Sequence, residues 1–203
     1  MTLGKKAILL AALMIVADQL LKIWIKTHMS LWQEIVFLGN RDGGHVGLYF
    51  TENNGFAFGV ELFGEVGKLM LTLFRIVFIG ALLWFTVKEY KAGASKGVVI
   101  GLALMCAGAA GNLIDCLFYG LIFDASTPTL VAQMFPQGGG YAPLGFGKVV
   151  DMLYLPIINV AREGGDRFIF FRPIFNVADT AITCSVFYMI FFQRHALSES
   201  LKK

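Results

Sequence analysis

Four long apolar blocks separated by more polar stretches are the dominant pattern along the chain. A helix needs about 20 mostly apolar residues to cross a bilayer, and the blocks lie at about residues 7–25, 67–87, 97–119 and 174–192. The first block begins after two lysines, as a signal peptide does, but it contains Asp18 and lacks a small-residue cleavage site at its end. The pattern therefore predicts a mainly α membrane protein, a four-transmembrane-helix bundle that forms a single domain over residues 1–203.

The two long polar stretches, about residues 26–66 and 120–173, predict short strands. Residues 45–60 alternate apolar and polar positions around Asn54-Gly55, and an Asn-Gly pair between alternating runs is a strong signal for a β-hairpin. Residues 149–160 and 167–171 are rich in Val, Ile and Phe and predict further strands. We expect a small extracytoplasmic β-sheet that rests on the helix bundle as a cradle.

Composition supports the membrane assignment, because 57% of the residues are hydrophobic and 15% are charged, with a mean hydropathy of +0.68. Soluble chains are roughly 45–50% apolar and about 25% charged. A net charge of +3 without a basic stripe argues against a nucleic-acid partner. The three cysteines and three histidines show no disulfide or metal-ligand spacing, so we expect no metal and no cofactor.

The basic residues of the connecting segments predict the orientation of the spans. Cytoplasmic segments carry the excess of Lys and Arg. With the N-terminus inside, the cytoplasmic segments hold Lys5, Lys6, Lys88, Lys91, Lys96, Arg194, Lys202 and Lys203, whereas the much longer external loops hold Lys26, Arg41, Lys148, Arg162, Arg167 and Arg172. We therefore expect both termini in the cytoplasm and both long loops outside.

Each predicted span also contributes polar residues to one layer. At a rise of about 1.5 Å per residue, five of these residues lie roughly 6–12 Å below the outer surface: Asp18, Arg75, Asn112, Asp115 and Asp179. Lys22 lies one helical turn nearer the surface than Asp18 and can pair with it. Ion pairs that only hold helices together would explain any one of them. Ionisable residues within spans usually mark functional sites, and their shared depth favours a site open to the outer leaflet.

Five ordered segments resemble the sequence boxes of the bacterial lipoprotein signal peptidase family (signal peptidase II): residues 18–22, 51–58, 108–115, 149–151 and 175–179. The resemblance implies an intramembrane aspartyl endopeptidase with Asp151 and Asp179 as the catalytic dyad. It also implies a diacylglyceryl-modified prolipoprotein as substrate, cleavage just before the lipidated cysteine, and inhibition by globomycin-type antibiotics. The expected location is a bacterial inner membrane, in contact with membrane lipid, and the expected state is a monomer.

The same resemblance implies supporting residues around the dyad. We expect substrate binding or support from Asp18, Lys22, Asn53, Gly55, Gly111, Asn112, Asp115 and Asn176, with Asp115 as the alternative dyad member. Two features depart from the family pattern. Cys116 stands where an arginine is usual, and residues 123–147 form an unusually long connection.

The dyad chemistry has a physical basis that is independent of the resemblance. Two close carboxylates cannot both ionise cheaply, so one keeps a proton while the other can activate a water. The alternative function is a proton-coupled transporter or channel subunit, which would place polar groups near the midplane and often contain an internal repeat. A purely structural membrane protein is a third possibility, but it leaves Asp151 and Asp179 unexplained.

Overall fold

The structure is a computed structural model that describes residues 1–54, 64–161 and 166–200. Within these ranges the helices are α1 (Leu3–His28), α2 (Gly64–Lys91), α3 (Lys96–Ile114), α4 (Val177–Phe192) and the short α5 (Arg194–Ser200). A π-helical turn, Asp115–Tyr119, and a last turn, Gly120–Ile122, continue α3. The predicted hairpin arm after Asn54-Gly55 lies outside the described residues.

Three of these helices are long and apolar enough to cross a membrane. They cover Leu3–His28, Gly64–Lys91 and Lys96–Ile122, with mean hydropathies of 2.0 to 2.1. Their outward surfaces expose large apolar side chains such as Phe74 and Trp84, as expected of residues that face lipid. The fourth apolar helix, α4, has 16 residues and begins three positions after the predicted start at residue 174. Ile174 and Phe175 instead form a strand, β6.

Helix α3 lies at the centre of the bundle and contacts α1, α2 and α4. Its glycines make the contact with α4 close: a Cβ added to Gly108 would lie 2.5 Å from the carbonyl oxygen of Ala178. Small residues commonly allow such approach between membrane helices. The result is that the C-terminal end of α3 and the first turn of α4 lie side by side.

Strands on the polar segments form two antiparallel sheets. The larger sheet has the order β1-β2-β3-β6, with β1 (Glu34–Gly39), β2 (His45–Asn53), β3 (Val149–Tyr154) and β6 (Ile174–Phe175). The smaller sheet pairs β4 (Ile158–Ala161) with β5 (Arg167–Phe170). The single strand predicted over residues 149–160 is therefore two strands, with Pro156 in the gap between them, where a missing N–H would interrupt a ladder.

A buried apolar cluster attaches the larger sheet to the helices. Its members come from α1, β2, β3 and the end of α3: Ile25, Met29, Leu48, Phe50, Tyr119, Phe123, Val150 and Met152. Burial of each large apolar side chain contributes about 1.5–3 kcal/mol. This cluster places the middle of β3 against the C-terminal ends of α1 and α3.

We expect Gly108→Ala to destabilise the protein, because the added methyl group would overlap the backbone of α4. Overpacking of this kind costs about 1–3 kcal/mol. Gly80→Ala on α2 is the matched control, since its added Cβ would meet nothing within 4 Å. The measurement is the free energy of unfolding in detergent micelles; equal stabilities of the two variants would contradict the close α3–α4 contact.

Candidate active site

Two aspartates predicted from the sequence lie at the junction of the sheet and the bundle. Asp151 is in the middle of β3 and is 4% exposed, whereas Asp179 is in the first turn of α4 and is partly exposed. Two asparagine amides connect them. Asn176 Nδ2 donates to Asp151 Oδ1 at 2.7 Å, and Asn112 Nδ2 donates to Asp179 Oδ1 at 2.7 Å. Asn176 Nδ2 also lies 3.0 Å from Asn112 Oδ1, so the amides form one continuous link between the carboxylates.

The start of α4 orients Asp179 through a reciprocal cap. Asn176 Oδ1 accepts the backbone N–H of Asp179 at 2.8 Å, and Asp179 Oδ2 accepts the backbone N–H of Asn176 at 3.3 Å. Such a capping box satisfies two N–H groups that a helix start leaves free. The negative charge of Asp179 is also favoured at the positive end of the helix dipole. Local sequence thus sets both the position and the rotamer of this carboxylate.

Asp151 is held from the other side by β2. Its register partner is Thr51, and Asn53 pairs with Val149. The side-chain amide of Asn53 donates to Asp151 Oδ2. Both oxygens of Asp151 therefore accept hydrogen bonds from amides, one from β2 and one from Asn176 at the start of α4.

Lys22 on α1 is fully buried and contacts the amide link at Asn112. Its Nζ donates to Asp18 Oδ2 at 2.9 Å, to Asp115 Oδ2 at 2.8 Å and to Asn112 Oδ1 at 2.8 Å. An ammonium has three N–H donors and no acceptor, so all three donors are used. Because Lys22 can only donate, the Asn112 atom that faces it must be the oxygen. Asn112 therefore presents its NH2 group to Asp179.

The two carboxylates beside Lys22 each hold a neighbouring backbone. Asp18 Oδ1 accepts the N–H of Ala178 at 2.8 Å, at the start of α4. Asp115 Oδ2 accepts the N–H of Val150 at 3.2 Å, next to Asp151 on β3. Asp115 is fully buried and its oxygens contact Lys22, Gln19 and this backbone N–H, an arrangement that favours support over membership of the dyad.

Nine of the ten residues named as dyad or supporting residues are described, and all nine lie in this network or touch it; Gly55 lies outside the described residues. Gly111 contributes its small size: an added Cβ would lie 2.8 Å from Asp18 Oδ2. Its carbonyl oxygen accepts a hydrogen bond from Gln19.

Gln19 is a member of the network that sequence reasoning did not single out. Its Nε2 donates to Asp115 Oδ1 at 2.9 Å, and its Oε1 accepts from the Tyr119 hydroxyl at 3.1 Å. The available signal was its position inside the polar segment 18–22. Tyr119 carried no such signal, because an aromatic residue in an apolar block is ordinary core material.

Burial and the neighbouring carboxylate of Asp179 raise the pKa of Asp151 to about 8. Burial is the larger cause, since it penalises the charged form. The charge of Lys22 and the hydrogen bond from Asn176 act in the opposite direction, and Asp115 adds a small rise. At neutral pH, Asp151 therefore carries a proton.

Cys116, which stands where the family pattern has an arginine, is contacted by basic side chains of another helix. Arg75 on α2 donates from Nη1 to Cys116 Sγ at 2.8 Å. Lys68, also on α2, lies 3.5 Å from the same sulfur and donates to the carbonyl oxygen of Asn54 at 2.9 Å. Two basic side chains of α2 thus contact the position where the sequence departs from the family pattern.

A separate cavity of about 510 Å³ lies between α1, α2 and α3. Its lining is almost entirely apolar and includes no carboxylate among the described residues, so the predicted dyad does not line it. Within the same ranges, no group of three or more His, Cys, Asp or Glu residues is arranged to hold a metal ion.

Comparison with protein families matches residues 10–194 to the model described as Signal peptidase (SPase) II. The lipoprotein signal peptidase of Porphyromonas gingivalis is 40% identical over 194 residues, which cover 92% of this chain and 82% of the relative. That of Amoebophilus asiaticus is 31% identical and covers 96% and 80% of the two chains.

Two solved structures share the fold. One is a bacterial membrane enzyme determined by the in meso method at 2.3 Å, with a TM-score of 0.63, 22% identity, and coverage of 96% of this chain and 91% of that chain. The other, determined by the same method at 1.9 Å, has a TM-score of 0.59, 24% identity, and coverage of 92% and 90%.

We expect Lys22→Met to lower the free energy of unfolding by about 3–5 kcal/mol, the usual effect of leaving a buried charge without its partner. Lys5→Met on the same helix is the control, because Lys5 is exposed. A second change, Asp115→Asn, should restore part of the loss by removing one unpaired carboxylate. The measurement is denaturant unfolding in micelles; a Lys22→Met variant as stable as Lys5→Met would contradict the role assigned to the ammonium.

Proposed function

The chain belongs to the signal peptidase II family, and we propose that it is an intramembrane aspartyl endopeptidase that removes the signal peptide from diacylglyceryl-modified prolipoproteins. Cleavage takes place just before the lipidated cysteine. The observation that carries the proposal is the pair Asp151 and Asp179, joined by the amides of Asn112 and Asn176 at the start of an apolar helix. The names of the relatives, lipoprotein signal peptidases, supply the substrate class.

The mechanism uses the two aspartates as acid and base. Asp179 is the more exposed carboxylate and takes a proton from a water molecule, whose oxygen attacks the scissile carbonyl carbon. Asp151, protonated at neutral pH, donates its proton to the carbonyl oxygen, which forms a tetrahedral diol. Asp179 then passes its proton to the departing nitrogen, the C–N bond breaks, and a diol hydroxyl returns a proton to Asp151. The products are the signal peptide and the lipidated polypeptide with a free amino group.

The amide link favours these proton transfers because it holds both carboxyl groups in place without bringing a positive charge into contact with either. Each dyad oxygen contacts a side-chain amide or a backbone N–H. Groups fixed in this way need little reorganisation when charge develops during the reaction. Asn112 and Asn176 are positioning residues in this scheme. Lys22 donates to Asn112, and Asp18 holds the backbone of α4 at Ala178, two residues after Asn176.

The proposed topology is a multi-pass inner-membrane protein with four spans, α1 to α4, and with both termini in the cytoplasm. Support comes from the density of Lys and Arg in the short segments. The larger sheet then lies on the outer side as a cradle, and the dyad lies near the outer leaflet, where a diacylglyceryl cysteine keeps its acyl chains. Globomycin-type inhibitors would compete for the same site, and a single chain contains the whole dyad.

We expect Asp151→Asn and Asp179→Asn each to reduce cleavage by about 10²- to 10⁴-fold, because asparagine cannot cycle a proton. The assay follows a synthetic diacylated prolipoprotein peptide by mass spectrometry with purified protein in micelles. Asp42→Asn, whose parent side chain is 76% exposed in a turn, is the control and should cleave at the wild-type rate. Cleavage at the wild-type rate by either dyad variant would refute the mechanism; wild-type protein that never cleaves would refute the function.

The pH dependence of cleavage provides an independent test. Because the pKa of Asp151 is raised to about 8, the acid is protonated below this pH and is lost above it. We expect kcat/KM to fall about tenfold per pH unit above pH 8. Tryptophan fluorescence over the same range controls for unfolding. A profile that stays level up to pH 9.5 in folded protein would contradict the assignment of Asp151 as the acid.

A further inference from the structure

A second buried ion pair lies one helical turn beyond Lys22, and the proposed chemistry does not use it. Lys26 is fully buried, and its Nζ contacts Glu52 Oε1 on β2 and donates to Ser126 Oγ at 2.8 Å. Ser126 Oγ in turn donates to the same oxygen of Glu52 at 2.9 Å. The ammonium also lies 5.4 and 5.0 Å from the ring centroids of Phe123 and Tyr141.

This Lys26–Glu52–Ser126 cluster joins three parts of the chain: α1, β2 and the long connection at residues 123–147. Removing two charges from water costs free energy that their attraction seldom repays in full. A buried pair is therefore better explained by the geometry it imposes than by stability. The connection supplies a hydroxyl and two aromatic faces to this geometry.

The cluster holds the end of β2, whose last two residues are Glu52 and Asn53. Successive side chains of a strand point to opposite faces, so Glu52 and its neighbour Asn53 point in opposite directions. Asn53 donates to Asp151 on the dyad side, while Glu52 is held on the other side. Asn53 is the last residue of β2, and strand ends are where a ladder frays most easily.

We propose that Glu52, held by Lys26 and Ser126, is a positioning residue that fixes the rotation of β2 so that Asn53 stays bonded to the catalytic Asp151. Residues 123–147 contribute to this positioning through Ser126, as part of the Lys26–Glu52–Ser126 cluster. The inference rests on the proposed peptidase function. It assigns a purpose to the long connection that the family resemblance left unexplained.

The test compares cleavage kinetics of Glu52→Gln, Asn53→Ala and the double variant. We expect Glu52→Gln to lower kcat by about 10- to 100-fold, the effect of a small misplacement of a reacting group, while KM changes by less than about threefold. The double variant should be no slower than Asn53→Ala alone, because both changes act through one hydrogen bond. A merely structural role would instead give losses that multiply.

Glu34→Gln is the matched control within the same sheet. Glu34 on β1 also has two side-chain partners, His45 Nε2 at 2.6 Å and Arg41 Nε at 3.0 Å, and His45 is at the opposite end of β2 from Glu52. We expect its kcat to equal that of the wild type. If Glu52→Gln does not fold, Ser126→Ala is the second variant, because it removes one hydrogen bond of the cluster. It should lower kcat about 3- to 10-fold when Asn53 is present and should have no further effect when combined with Asn53→Ala.

The outcomes separate the inference from the function on which it rests. If wild-type protein cleaves and Glu52→Gln has an unchanged kcat, or if the losses in the double variant multiply, the positioning role is wrong and the peptidase stands. If wild-type protein does not cleave the diacylated peptide, the proposed function fails and the positioning role fails with it.

Discussion

The buried ammonium of Lys22 is the interaction on which the rest of the site depends. Its three donors reach acceptors on α1 and α3, and each acceptor holds a further group: Asp18 the start of α4, Asp115 the backbone of β3, and Asn112 the carboxylate of Asp179. One charge thus aligns elements that are distant in sequence. All three donors of the ammonium are used in this arrangement, so displacement of any one acceptor would leave a buried donor unpaired, which costs free energy.

The position of this charge, away from Asp151, also allows the pKa of Asp151 to stay raised. If an ammonium contacted Asp151 directly, it would favour the ionised form and oppose the proton that the proposed acid needs. Lys22 instead reaches the dyad through the neutral amides of Asn112 and Asn176. Burial and the repulsion from Asp179 then dominate, and the pKa of Asp151 is raised to about 8. The neutral amides therefore fix the positions of both carboxyl groups without lowering the pKa of Asp151 as a direct contact with the ammonium would.

Much of this arrangement was predictable from the sequence because its determinants are local. Apolar length predicts the long helices, and the spacing of Asn176 and Asp179 predicts a capped helix start. The pairing of β2 with β1 and β3 was not predictable, since Asn54-Gly55 favours a hairpin and the register depends on a strand 98 positions away. The role of Ser126 was hidden for a similar reason: residues 123–147 have no periodicity, and only the folded chain brings them to Lys26.

The length of α4 connects this geometry to the proposed place of the dyad in the membrane. Its 16 residues span about 24 Å, whereas the apolar part of a bilayer is about 30 Å thick. If the C-terminal end of α4 reaches the inner surface of the apolar layer, as the proposed topology requires, the helix begins about 6 Å below the outer surface of that layer. In that topology the residues that complete the crossing are Ile174 and Phe175 of β6 and the cap residue Asn176. Irregular polar backbone is tolerated at such depth only where protein or a water-filled cavity surrounds it, and a peptidase that must bring water to a lipidated substrate requires such a place.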